Sequence, residues 1–487
     1  VFKPFYSPIA FLSGPGIFTI TFLGLKNLSI GTSGAFVLGT AFWMLAWWLF
    51  ETVPLAVTAF LPLVLFPVGE ILTFKELAGL YMSDVIFLFL GGFFLSAAVE
   101  KWHLHLWLSQ HLVRFGGSSP RKLLYTFITA TAFISMWISN TATTLIMLPL
   151  IKSLLRNSRD DSQQSENKSE FSKALLLGVA FSASIGGLGT PIGSPPNAIL
   201  FAFIKKNPQS FPDLSFSSWI FTALPFVIIA LIALGFVLNL FFIRKVDPRS
   251  FHAQFRNPAG MIQTITWTTP MTRVSTVFAL MALFWILSPF FQVSFFSDAW
   301  ISVVGAVFLF LTPTGEIHAQ SSKSPPKKLL SAEDFDRQPW NILMLFGGGL
   351  ALSEGLQKSG LISWVSTASE SLKVFPSFFI LLIAVFAIIF MTEIGSNTAI
   401  AAIFIPLASA LSAPLGFNGY SFLFAVTAAA SLSFMLPMAT PPNAIAFSMG
   451  HFNLKEMIKV GFVLDLIFAI IIALYSYFLF PFLAKTF

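Results

Sequence analysis

The sequence predicts an all-α polytopic membrane protein: about 11 transmembrane helices plus two re-entrant helical hairpins, set out as an inverted-topology repeat. Three observations predict it. Only 10% of the 487 residues are charged and 56% are hydrophobic, whereas a soluble domain carries about 25% charged residues. Apolar runs of roughly 18 residues or more recur along the whole length. A polar motif buried in apolar sequence is written twice, once in each half of the chain. The alternative of membrane strands fails, because such strands alternate apolar and polar and "FVIIALIALGFVLNLFF" is apolar on every side.

The elements follow in order. An N-terminal helix lies within 1–30, with its span at 8–25. The first repeat, 31–243, opens with spans at 31–50, 53–68 and 79–100 and a basic connector to 120. A hairpin at 121–155, a broken helix at 171–206 and a helix at 217–243 complete it. Residues 244–272 form a polar inner loop. The second repeat, 273–484, has spans at 273–290, 297–313 and 339–358, a hairpin at 374–411, a broken helix at 419–450 and a helix at 456–484. The stretch 314–338 reads as a solvated linker.

The repeat is legible in three places. "LFLGGFFLSAAVEK" (88–101) resembles "MLFGGGLALSEGLQK" (344–358). "SNT" occurs at 139–141 and at 396–398. "GTPIGSPPNAI" (189–199) aligns without gaps to "MLPMATPPNAI" (435–445). From triplet Asn to PPN Asn is 57 residues in the first half and 46 in the second, and the polar insert "RNSRDDSQQSENKSE" at 156–170 accounts for the excess. Each triplet sits between apolar arms of about 14–18 residues, short for a full span. Read as re-entrant hairpins, they leave five full spans per repeat, and an odd number inverts the second copy.

Charge gives the orientation. With the N-terminus inside and the C-terminus outside, the predicted inner loops hold 21 of the 28 Lys and Arg residues and the outer side holds 7, as the positive-inside rule requires. That bias accounts for the net charge of +7 without nucleic acid. There are no cysteines, which excludes disulfides and thiolate metal sites. "HLH" at 103–105, with His111, invites a metal reading, but no carboxylate partners it. The N-terminus shows no signal-peptide pattern.

Polar backbone at membrane depth persists only where protein or a water-filled cavity satisfies it. Each triplet offers hydroxyls and an amide where a helix begins, so free N–H groups and a positive dipole end face the cavity and suit an anion. The preceding helix end offers carbonyl and side-chain oxygens, which suit a hard cation such as sodium. The Pro-Pro-Asn loops break a second helix in each repeat, with Asn197 and Asn443 starting or capping the next half-helix. Two tips and two breaks converging on one midplane site explain why the motif is written twice. Taken singly, Ser-Asn-Thr is equally a capping motif and Pro-Pro-Asn a kink. No Lys, Arg or His lies within about ten residues of a triplet, so an anion would be held by neutral donors. Glu393 is the one acid beside a tip; it either faces the site or caps local backbone.

These motifs resemble the divalent anion/sodium symporter family, the INDY-type di- and tricarboxylate transporters, over nearly the whole chain. The resemblance implies a homodimer in the plasma membrane working by an elevator mechanism. Its scaffold helices (31–120 and 273–358) would hold the dimer while the hairpins and broken helices move. It implies substrate contacts from Ser139, Asn140 and Thr141, from Ser396, Asn397 and Thr398, and from Ser194, Thr440 and Pro441. One sodium site would use Ser135, Ser139, Asn140 and Gly193; the other Thr392, Gly395, Asn397 and Ala439. The implied cargo is a small dicarboxylate of the succinate, malate, fumarate and 2-oxoglutarate class, with sodium as coupling ion and no other cofactor. Sodium-independent dicarboxylate exchange is the alternative within the family, and sulfate or another divalent anion a more distant one. The match of Ser135, Thr392 and the paired asparagines to the family's cation pattern favours symport. A serine enzyme lacks a base beside Ser139 or Ser396. A channel lacks a filter or charged ring.

Overall fold

Proline, glycine and capping side chains decide where this apolar chain divides into helices. The computed structural model describes residues 8–484 except 28, 115–116, 118, 157–161, 210, 212–213, 248–250, 252–264, 292, 294 and 316–326. Most of the expected inner loop at 244–272 and the middle of the expected linker at 314–338 lie outside the described residues. Among the described residues there is no strand, only an isolated bridge between Pro313 and Lys328.

The first half runs α1 (Pro8–Leu25), α2 (Gly31–Leu49), α3 (Leu55–Thr58), α4 (Leu61–Val68), α5 (Phe74–Leu80), α6 (Asp84–Lys101) and α7 (Leu104–Arg114). It continues with α8 (Pro120–Ser135), α9 (Asn140–Arg156), α10 (Ser162–Gly187), α11 (Pro195–Lys206) and α12 (Phe216–Phe241). The second half runs α13 (Thr269–Leu287), α14 (Asp298–Leu311), α15 (Ala332–Asp336), α16 (Trp340–Lys358) and α17 (Leu361–Ala368). Then come α18 (Ser377–Ile394), α19 (Asn397–Ser412), α20 (Gly419–Ser431), α21 (Pro441–Ser448), α22 (Leu454–Leu474) and α23 (Phe480–Ala484).

Among the described residues, six helical stretches are long and apolar enough to cross a membrane: Gly31–Leu49, Phe74–Lys101, Phe216–Lys245, Thr269–Phe290, Ser377–Ile394 and Leu454–Ala484. The other expected spans are shorter or more polar for identifiable reasons. The span at 53–68 is α3 and α4, because Pro54 and Pro62 each open a new helix. The helix α16 is diluted by Gly347, Gly348 and Gly349. The broken helices divide as expected into α10 with α11 and α20 with α21. The connector at 101–120 contains α7, on which His105 is buried with Nδ1 2.8 Å from the Val99 carbonyl.

The two paired-glycine stretches are where the halves interlock. A Cβ on Gly91 of α6 would lie 2.5 Å from Ser302 of α14, and one on Gly348 of α16 would lie 2.6 Å from Ala59, at the end of α3. Each half thus presses a glycine face against the other half. Inside a bilayer such contacts hold helices together through close van der Waals packing. At one end of the molecule, ion pairs join the start of α10 to the end of α12 and the start of α22. Glu170 accepts from Lys173 and Lys245, both at 2.9 Å, and Lys173 also reaches Glu456 at 2.7 Å.

Candidate functional site

Each triplet lies at a helix–turn–helix tip, and each tip is tied to the break in the next helix. In the first half, α8 ends at Ser135 and α9 begins at Asn140. The Ser135 Oγ is 2.7 Å from both the Asn140 Oδ1 and the Ala183 carbonyl of α10. In the second half, α18 ends at Ile394 and α19 begins at Asn397. The Thr392 Oγ1 donates towards the Asn397 Oδ1 and lies 3.1 Å from the Ala430 carbonyl of α20. One hydroxyl proton therefore faces two oxygen acceptors, twice over. Oxygens gathered this closely around a single proton suit a cation.

The breaks repeat as closely. Ser194 and Thr440 are both extended, at φ −145°, ψ 139° and φ −141°, ψ 150°, as residues before proline must be. The prolines that follow open α11 and α21. Asn197 and Asn443 lie in the first turn of those helices instead of capping them. The Asn197 Nδ2 donates to the Gly187 and Thr190 carbonyls, both at 2.8 Å. The Asn443 Nδ2 donates to the Ser433 and Leu436 carbonyls at 3.0 and 3.1 Å. The caps are Thr440, whose hydroxyl accepts from the Asn443 N–H, and Ser139, whose hydroxyl accepts from the Ala142 N–H. Neither Ser194 nor Ser396 makes a side-chain cap bond.

Around the first tip the oxygens crowd one point. A Cβ on Gly187 would lie 2.6 Å from the Asn140 Oδ1 and 2.9 Å from the Gly193 carbonyl oxygen. A Cβ on Gly193 would meet the Gly187 and Met136 carbonyl oxygens at 2.5 and 3.0 Å. Glycine is what lets these oxygens approach one another. The carbonyls of Gly193 and, in the second half, Ala439 receive no hydrogen bond among the described residues.

The tip-to-break ties differ between halves. The Thr190 hydroxyl donates to the Met136 carbonyl in the first. In the second, Glu393 stands at the place of Met136, and its two carboxylate oxygens accept from the Met435 and Leu436 N–H groups, both at 2.9 Å. Glu393 is buried, and in place of either expected role, facing the site or capping local backbone, it caps backbone of the break 42 and 43 residues further on. The second break also starts earlier than expected, since α20 ends at Ser431 and residues 432–440 are unwound. Asp465, fully buried on α22 against Glu393, was missed in the sequence. A single acid inside "FVLDLIF" is the signal that marks it.

Of the predicted site residues, Ser135, Gly193, Ser194, Thr392, Gly395 and Thr440 are buried. Asn140, Thr141, Ser396, Asn397, Thr398 and Ala439 are half-buried, and Ser139 and Pro441 are exposed. The helices that carry them pair crosswise. The helix α9 lies against α21, and α19 against α11, so each triplet's helix packs on the half-helix of the other repeat.

The two halves are not packed alike. Leu145 on α9 is 53% exposed, while Ala402, at the same distance from its triplet on α19, is buried. Residues Pro196–Ile204 of α11 are buried, whereas Pro441, Ala444 and Ser448 form an exposed stripe on α21. The covering elements are α16 and α17 over α19, and α6 and α16 over α11.

A family model described as "Citrate transporter" matches residues 45–429. The sodium-dependent dicarboxylate transporter SdcS of Staphylococcus saprophyticus is 34% identical over 97% of this chain and 91% of its own length. The protein of the same name from Staphylococcus aureus strain MRSA252 is 34% identical over 98% of this chain and 92% of its own. Among solved structures, the Alcanivorax borkumensis YdaH transporter, reported to have an unusual topology, superposes with a TM-score of 0.54. It covers 85% of this chain and 87% of that one, at 12% identity.

Proposed function

The chain belongs to the citrate-transporter and divalent anion/sodium symporter family, and on that premise we propose that it is a secondary active transporter that couples sodium to the movement of small dicarboxylates. The substrate class is that of succinate, malate, fumarate and 2-oxoglutarate. The relatives over its full length carry that activity in their names. The observation that carries the mechanism is the doubled constellation around Asn140 and Asn397. It sets oxygens for a cation and helix N-termini for a carboxylate side by side, once per repeat.

In this reading Ser139, Asn140, Thr141 and Ser194 bind one carboxylate. Ser396, Asn397, Thr398, Thr440 and Pro441 bind the other. Sodium binds at Ser135, Ser139, Asn140 and Gly193, and at Thr392, Gly395, Asn397 and Ala439. The unequal covering of α9 and α19, and of α11 and α21, supports an elevator movement. One pair of half-helices is against the scaffold while its inverted counterpart is open. With the N-terminus inside, the open pair faces the cytoplasm. The exposed apolar residues Leu280, Phe284, Val303 and Phe308 on α13 and α14 supply a surface for the homodimer contact.

The test is uptake of labelled succinate into proteoliposomes, with sodium or choline outside and with or without internal dicarboxylate. Sodium-dependent uptake into vesicles lacking internal substrate is expected. Uptake that ignores choline replacement and requires internal dicarboxylate would instead identify an exchanger. Unlabelled dicarboxylates should compete, and lactate and acetate should not.

A further inference from the structure

The asparagines of the two Pro-Pro-Asn motifs do something that neither a kink nor a cap requires. Asn197 and Asn443 are each fully buried. Each amide spends both N–H bonds on carbonyls of the break before it: Gly187, the last residue of α10, and Thr190 in the first repeat, Ser433 and Leu436 in the second. The opposite amide orientation would set the Oδ1 against two carbonyl oxygens, so these bonds fix it. Each Oδ1 is then left buried without a protein donor, in both repeats.

Carbonyl accounting shows what this achieves. In the first break the Gly186 carbonyl takes the Gly189 N–H, Gly187 and Thr190 are taken by Asn197, and Leu188 is taken by the Trp219 indole at 3.0 Å. The Gly193 carbonyl is one of those left without a donor among the described residues. In the second break Ser433 and Leu436 are taken and Ala439 is among those left. The stapled and open carbonyls stand at matching places in both copies. Gly187, whose carbonyl is stapled, is also the residue crowded by the Asn140 Oδ1 and the Gly193 oxygen.

We propose that Asn197 and Asn443 are positioning residues for the coupling cation. Each staples the break so that one carbonyl, Gly193 or Ala439, stays aimed at the triplet asparagine. A fully buried acceptor left without a protein partner is retained against its desolvation cost, because the amide's donors are what the break needs. The inference rests on the sodium-coupled reading above.

The experiment compares wild type with Asn197→Ala and Asn443→Ala in proteoliposomes, titrating sodium at saturating succinate and succinate at saturating sodium. Outer-shell partners of a metal site typically change affinity by about 10–100-fold. The sodium concentration for half-maximal uptake is therefore expected to rise by about tenfold or more, with the succinate KM at saturating sodium nearly unchanged. Asn207→Ala, an amide just past the end of the same helix and outside the break, is expected to leave sodium dependence at the wild-type value. Where an alanine variant fails to assemble, Asn197→Leu or Asn443→Leu, similar in shape and without donors or charge, is read in the same way. Assembled variants that lose only maximal rate, with sodium dependence unchanged, overturn the proposal. Wild-type uptake that is itself indifferent to sodium overturns the symport reading instead, so the two failures are distinguishable.

Discussion

Substituting Gly187 with alanine tests the oxygen cluster with the smallest possible intrusion. The added Cβ would sit 2.6 Å from the Asn140 Oδ1, where ordinary contact begins at 3.4 Å. The amide oxygen must therefore retreat by about 0.8 Å, and metal–ligand distances tolerate only about 0.2 Å. The Gly193 carbonyl, 2.9 Å from the same point, must give as well. Overpacking of this kind costs about 1–3 kcal/mol, or about fivefold to 150-fold in an equilibrium constant. If that strain falls on the proposed first sodium site, the sodium concentration for half-maximal succinate uptake rises by a factor in that range. Gly178→Ala on the same helix is the control, since its Cβ would meet only side-chain ends of Leu124, Ile128 and Leu238 at 3.2–3.4 Å. Wild-type sodium dependence in Gly187→Ala, with the protein assembled, would refute the placement of a cation between Asn140 and Gly193.

Asn140→Ala and Asn397→Ala should each abolish uptake in assembled protein, since each removes the amide oxygen of the proposed cation site and one of the two acceptors facing the Ser135 or Thr392 hydroxyl; wild-type uptake in either would reduce the triplet to a helix cap. The chain contains no cysteine, so Leu145→Cys should react with a membrane-impermeant thiol reagent from one side while Ala402→Cys resists it, and conditions that favour the opposite state should reverse the pair. Burial works against ionisation of Asp334, but the Lys101 ammonium at 2.6 Å and the Ser331 N–H at 2.7 Å more than offset it and hold its carboxyl below the usual range. A lowered carboxyl stabilises the fold above its unfolded value, near 3.9, and that stability is lost as pH falls through the folded value. Asp334→Asn should therefore lower thermal stability at pH 7 by up to about 1 kcal/mol, and the gap from wild type should close in acid.

The paired geometry of the two tips and two breaks was legible because capping alone does not require a polar triplet inside an apolar run to recur in order with a Pro-Pro-Asn loop. Break positions followed from proline chemistry, and Ser194 and Thr440 adopt nearly the same backbone in consequence. What the sequence concealed is three-dimensional. Asn197 and Asn443 look like caps in a linear reading, because nothing local says that their amides reach back 10 and 7 residues. Pro437 denies the helix a bond to the Ser433 carbonyl and clashes with it, and Glu393 takes the Met435 and Leu436 N–H groups as well, so the second break starts earlier than the Pro-Pro-Asn motif alone suggests. The difference between Leu145 and Ala402 depends on where the scaffold sits against two related segments, and no residue pattern records that.

The arrangement also gives a physical account of coupling. Each tip and each break sets one helix C-terminus beside one helix N-terminus, and these carry partial charges of about −0.5 and +0.5. Over two tips and two breaks the ends cancel, and no Lys, Arg or His stands among the proposed site residues. The empty site is thus polarised but carries no balancing charge for its cargo. A dianion bound alone would take two negative charges into a low-dielectric path, and two sodium ions alone would take two positive ones, each at a high cost. Filled together or emptied together, the site crosses without that burden. In the proposed elevator movement Glu393 would travel in every state and would not distinguish them. Built from neutral donors and helix ends instead of a fixed basic side chain, the proposed site would penalise partial loading, and that penalty would tie the movement of dicarboxylate to the movement of sodium.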